Sequence, residues 1–152
     1  MDVDLDIQRE VDGLPKDKEL LAWVKEVLTH EQHGNTELTI RFVSEEESAE
    51  LNEQYRNKKN STNILSFPFE KPEDVELNLL GDLVICSDIV KKEALEQHKE
   101  ELAHWAHMIV HGTLHLLGYD HVTDEDAIIM ETKEIKILSQ LGYSDPYREL
   151  EA

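Results

Sequence analysis

One stretch decides how this chain is read: His104–Asp126, H-W-A-H-M-I-V-H-G-T-L-H-L-L-G-Y-D-H-V-T-D-E-D. Five of the chain's eight histidines fall inside it. Between Leu102 and Leu117 there is no proline and only one glycine, and apolar residues recur at nearly every third or fourth position. That pattern predicts a helix buried on more than one side. At about 100° per residue, His111 and His115 project from the same helical face. Gly118 falls where a helix ends, at the position a left-handed residue occupies at least cost. His121 follows the turn and can swing back toward the helical pair, giving H-x-x-x-H-x-x-x-x-x-H.

Three neutral imidazoles meeting at one point, with no fourth protein ligand, are what a catalytic zinc site requires, because water or substrate takes the open position. A helical H-x-x-x-H alone is weak evidence; the pair, the helix-ending glycine and a third histidine just beyond it form a specific signal. The bland alternative is a buried helix whose histidines bond to backbone carbonyls. His104 and His107 lie two turns and one turn before His111, near its face, where lining a groove or supporting a ligand suits them better than ligation. The same ligand spacing marks the metzincin peptidases, H-E-x-x-H-x-x-G-x-x-H. This chain carries Gly112 where those enzymes carry their general base, so a peptidase on this site lacks its proton shuttle, whereas metal-assisted hydrolysis of another kind stays open.

Outward from this centre, residues 2–9 alternate polar and apolar as a half-buried strand does. Pro15 opens an amphipathic helix carrying Leu20, Leu21, Val24, Val27 and Leu28, with Trp23 packed or at its rim. His30 and His33 follow in a polar run and read as surface residues. Residues 37–43 alternate again, and Ser44 with Glu47 spells a capping box for a helix to about Tyr55. Ile64–Phe67 is a strand that Pro68 marks as an edge or an end. Residues 70–79 read as a loop. Leu80–Cys86 is a nearly continuous apolar run, hence a central buried strand, with Asp82 either orienting a ligand imidazole or pairing with a backbone amide. Ser87-Asp88 caps a helix to about Gln97, and Thr123 with Asp126 opens a last helix that Gly142 ends. Glu125, Glu131 and Glu134 on that helix are carboxylate candidates whose default is exposed salt pairing.

The expected architecture is therefore α+β. One domain spans residues 1–152, with a small mixed four-stranded sheet and about five helices around a central buried metal-binding helix. The formal charge is −19, from 34 acidic against 15 basic side chains. Solubility explains most of these carboxylates, and the balance argues against a general nucleic-acid binder. The densest positive cluster, Arg56, Lys58 and Lys59, sits on a loop leading into the Ile64 strand. Arg56 is the best anion-binding candidate in it, since guanidinium grips phosphate oxygens bidentately. The single Cys86 lies in an apolar run, which removes disulfides and points to a buried thiol and a cytoplasmic setting. No membrane span or signal peptide is expected.

Taken together, Y-R-N-K-K-N-S-T-N-I-L-S-F-P (55–68), L-L-G-D-L-V-I-C (79–86), the histidine stretch and L-G-Y-S-D-P-Y (141–147) resemble the YbeY family of bacterial metal-dependent endoribonucleases. The resemblance implies one zinc ion per chain held by His111, His115 and His121, with Arg56 and His111 in catalysis. It also implies cleavage of single-stranded RNA in 16S ribosomal RNA 3′-end maturation and in 70S ribosome quality control. The implied partners are ribosomal RNA and small-subunit ribosomal proteins or an assembly GTPase. Asn57 departs from the glycine common in the family's loop, while Arg56 is present. The general base stays open among solvent, Asp120 and His107. Two other readings stand beside this one: a ribosome-assembly adaptor with a structural zinc, which the acidic charge favours, and hydrolysis of a non-RNA substrate at the same metal.

Overall fold

The computed structural model describes residues 2–9, 15–56, 63–70 and 78–147. In chain order the elements are β1 (Val3–Arg9), α1 (Asp17–His30), β2 (Thr36–Val43), α2 (Glu45–Arg56), β3 (Ile64–Pro68), β4 (Leu79–Cys86), α3 (Ser87–Glu96), α4 (Glu101–Leu116) and α5 (Asp124–Gln140). The strands form a four-stranded sheet in the order β1-β2-β4-β3. β1 runs parallel to β2 and β2 parallel to β4, whereas β3 is antiparallel to β4. The fold is thus α+β, with a mixed sheet and five helices among the described residues, and β3 forms one edge of the sheet, as Pro68 predicts.

Alternation along the strands sorts the two faces. Leu38, Ile40 and Phe42 of β2, with Leu83 and Ile85 of β4, bury themselves against α1 and α4. Phe42 meets Trp105 of α4 edge to face, with ring centroids 5.6 Å apart, a geometry that favours aromatic pairs. Trp23 is 3% exposed, so it packs rather than lying at a rim. On the other face Val43, Leu65 and Val84 form a smaller cluster with Leu51 and Phe67.

Most of α4 is buried, and the helix packs on α1, α3, α5, β3 and β4. Gly112 is what lets it lie so close to the sheet. A Cβ there would stand 2.6 Å from Ile64 Cδ1 and 2.8 Å from Leu83 Cδ2. At the bulge between β2 and β4, Gly81 adopts φ +148°, and a Cβ there would come 2.3 Å from the Phe67 carbonyl oxygen. Only glycine fits that close approach.

Several caps follow the sequence. The Glu47 backbone N–H donates to Ser44 Oγ and that of Asp126 to Thr123 Oγ1, while Gly118 (φ +105°) and Gly142 (φ +90°) end α4 and α5. One expectation needs correcting. Ser87 lies inside α3, whose N-cap is Cys86, so the serine does not cap it; the buried strand runs directly into the helix. Pro15 stands just before the N-cap Lys16, next to the first turn of α1. Cys86 is a free buried thiol, and burial pushes its pKa up.

Candidate metal centre

The centre is built by α4, the turn after it and α5. His111 and His115 stand one turn apart on α4, and their Nε2 atoms approach to 3.1 Å. Gly118 then reverses the chain. The Tyr119 backbone N–H returns to the Leu114 carbonyl, and the Tyr119 hydroxyl donates to Glu31 just beyond the end of α1. That anchor holds the turn in place and delivers His121. Its ring stacks on His111 at 5.5 Å and lies 5.1 Å from the His115 ring. One ligand atom from each of the three histidines lies within 4.8 Å of the others. In a tetrahedral site with Zn–N bonds of about 2.0–2.1 Å, ligand nitrogens stand about 3.3 Å apart. The His111–His115 separation suits that geometry.

The rings also carry suitable charge. Burial, then the neighbouring His111 and His121 rings, bring the His115 pKa down to about 4, so its imidazole is neutral at physiological pH. His111 Nδ1 lies 2.8 Å from Glu134 Oε1. A ring N–H donated there leaves the His111 Nε2 lone pair facing His115 and the open centre, which is how carboxylates commonly fix a metal-binding histidine.

Glu134 is 0% exposed, which corrects the expectation of an exposed salt-pairing residue. It sits on the apolar stripe of α5 with Met130, Ile137 and Leu138, so its carboxylate enters the core. There Oε1 also accepts from His107 Nε2 at 3.0 Å, and Oε2 accepts from the Tyr147 hydroxyl at 2.7 Å. Burial alone would raise the Glu134 pKa, yet the hydrogen bonds from His107 and His111, with the electrostatic pull of those rings, bring it down to about 2. Burial and the adjacent carboxylate raise the Tyr147 pKa, which keeps its hydroxyl a donor. His107, His111 and Glu134 form a second group able to hold a cation, sharing His111 with the first. The hydrogen bonds account for that grouping without an ion.

His104 and His107 therefore do not line the groove. His104 is buried against Glu93 at 3.1 Å, and burial lowers its pKa; His107 belongs to the Glu134 network. Asp82 does not orient an imidazole: it is exposed on the opposite face of the sheet, among Gln8, Thr39 and Arg41. Asp120 is exposed and accepts the Val122 backbone N–H. Arg56 closes α2, but its side chain, like Lys58 and Lys59, lies outside the described residues.

The three imidazoles open into a cleft of about 620 Å³ lined by Tyr55, by residues 63–67 and by the histidines themselves. Carboxylates are absent from this lining among the described residues. Ile64 and Leu83 fill the space beside Gly112 where a glutamate side chain would start.

The fold and the converging imidazoles define an α+β protein with a candidate single-metal centre open to a cleft. A family model described as endoribonuclease YbeY matches residues 6–142, and the chain belongs to that family. The solution structure of the Thermotoga maritima protein TM1509 is similar, with a TM-score of 0.59 and 30% identity over 95% of this chain and 99% of that one. Among the described residues, no helix is long and apolar enough to cross a membrane.

Proposed function

We propose that this protein is a zinc-dependent endoribonuclease that cuts single-stranded RNA, with one zinc ion held by His111, His115 and His121. The observation that carries the reading is the set of three imidazoles converging on the open cleft, one already oriented by a buried carboxylate, in a chain of an endoribonuclease family. A zinc ion held there supplies Lewis acidity and a nucleophile at neutral pH.

The chain's own residues supply the rest. Glu134 holds His111 in one tautomer, His115 stays neutral, and the Tyr119 anchor keeps His121 in register. Arg56, one residue beyond the cleft-lining Tyr55, neutralises charge that builds on the phosphate in the transition state. Solvent takes up the proton of the attacking group, since the described cleft lining carries no carboxylate.

The cellular role in this reading is maturation of the 16S ribosomal RNA 3′ end and 70S ribosome quality control, in the cytoplasm. At −19 the chain is a poor collector of bare RNA. Small-subunit ribosomal proteins or an assembly GTPase therefore bring the substrate to it. The same charge favours the second reading, an adaptor for basic ribosomal proteins in which zinc is structural.

A substrate panel tests the proposal: single-stranded RNA, duplex RNA and unstructured peptides, each with zinc-loaded protein. Cleavage confined to single-stranded RNA is the expected result. Cleavage of peptides alone, or of nothing while ribosomal-protein binding persists, would move the assignment to one of the alternatives.

A further inference from the structure

The cleft wraps the free edge of β3, and this edge carries groups that the metal centre does not use. In the β3–β4 ladder Cys86 N–H donates to the Asn63 carbonyl at 2.9 Å and Phe69 N–H to the Leu80 carbonyl at 3.0 Å. With Leu65 opposite Val84 and Phe67 opposite Asp82, antiparallel alternation turns the main-chain groups of Ile64 and Ser66 away from β4. The Ile64 N–H is met by Asn63 Oδ1 at 2.7 Å. Among the described residues, the Ser66 N–H and the carbonyls of Ile64 and Ser66 meet no partner. Ile64 and Ser66 both border the cleft beside the three imidazoles.

On the other side of this edge Tyr55 of α2 packs edge to face on Phe67, with ring centroids 5.1 Å apart. Tyr55 is 59% exposed, and the two residues border both the cleft and the groove on the opposite face of the sheet, so the pair straddles the edge. Contact with Phe67 holds the Tyr55 ring in place, leaving the rest of its surface to solvent. The described lining of the cleft contains no lysine or arginine.

We infer that Tyr55, backed by Phe67, is a base-stacking platform, and that the free edge of β3 hydrogen-bonds the edges of the bases stacked there. Together they hold the unpaired nucleotides next to the phosphate that is cut. This inference rests on the RNA reading above and names how that substrate is gripped. Stacking is indifferent to charge, which suits a protein whose surface repels phosphate. It also accounts for a preference for single strands, because a paired base offers neither a free face nor a free edge. Salt dependence follows as well: with one or two phosphate contacts, log K falls against log[salt] with a slope of about −0.7 to −1.4, well below that of a basic nuclease.

The test measures KM, kcat and RNA affinity by fluorescence anisotropy for zinc-loaded wild type, Tyr55→Ala, Tyr55→Phe and Tyr55→Trp on a short single-stranded RNA at several salt concentrations. Loss of one base stack weakens binding about 10- to 100-fold. That loss is expected in Tyr55→Ala and should fall mainly on KM, while Tyr55→Phe and Tyr55→Trp stay within about threefold of wild type. Wild type that binds and cuts while Tyr55→Ala matches it overturns the platform and leaves the nuclease reading intact. Equal losses in Tyr55→Phe and Tyr55→Ala would also overturn it, since the hydroxyl and not the ring would then matter. Wild type that neither binds nor cuts RNA overturns the nuclease reading itself, and the platform with it.

Discussion

Replacing Glu134 by glutamine is the sharpest probe of how the centre is held. The carboxylate accepts two ring N–H groups on Oε1, from His111 at 2.8 Å and His107 at 3.0 Å, and the Tyr147 hydroxyl on Oε2 at 2.7 Å. Glutamine keeps one carbonyl oxygen for the two rings and can turn its amide N–H toward the Tyr147 oxygen. The geometry therefore survives while the negative charge behind His111 is lost. Changes of this kind cost about 10- to 100-fold in metal affinity, and retained geometry places Glu134→Gln near 10-fold, or about 1.4 kcal/mol. Glu134→Ala leaves two largely buried ring N–H groups, and the half-exposed Tyr147 hydroxyl, without their acceptor. It should approach 100-fold and also lower stability by about 3 kcal/mol. Chelator competition gives the zinc affinity, and thermal unfolding of the metal-free proteins separates ligand orientation from fold. A folded Glu134→Gln protein that binds zinc within twofold of wild type would refute the orienting role.

Gly112→Glu restores the metallopeptidase spelling but gains no peptidase activity, because its side chain must start within 3 Å of Ile64 and Leu83. It should cost about 3 kcal/mol or more by burying an acid in a packed contact, read as a fall in Tm. Glu31 gives a pH signature. Burial would raise its pKa, but hydrogen bonds from Tyr119, Lys133 and His30 together lower it from the ordinary 4.5. A group lowered on folding contributes stability above its unfolded pKa and loses it as pH falls through the folded value. The Tm gap between wild type and Glu31→Gln should be full above about pH 5 and shrink below about pH 4; a gap independent of pH would contradict this.

The order of the nine described elements was legible in the sequence because each carries its own signal: alternation in β2, caps at α2 and α5, the apolar run of β4. Pro68 even marked the edge strand. The three clustered histidines were legible because helical spacing and one turn glycine fix two of their separations. Glu134 was not, because a carboxylate on a charged helix reads as solvated. The available signal was its spacing: with Met130 four residues before and Ile137 three after, it occupies a place in the buried stripe that an apolar residue would fill. Asp82 failed for the opposite reason. An acid inside an apolar run suggests a role in the core, yet strand alternation turns it to the far face of the sheet. The cleft could not be read either, since it depends on β3 pairing back onto β4 and bringing its free edge beside α4.

The most direct measurement compares cleavage of a short single-stranded RNA spanning the 3′ end of 16S ribosomal RNA by wild type, Arg56→Ala and His115→Ala, with zinc content and folding determined for each. Zinc-dependent cleavage at this site requires that wild type carry one zinc and cut. Arg56→Ala should be folded and zinc-loaded but slowed by about 100-fold or more. His115→Ala should lose both metal and cutting. Equal cleavage by all three preparations, or full cleavage by wild type stripped of metal, would contradict it.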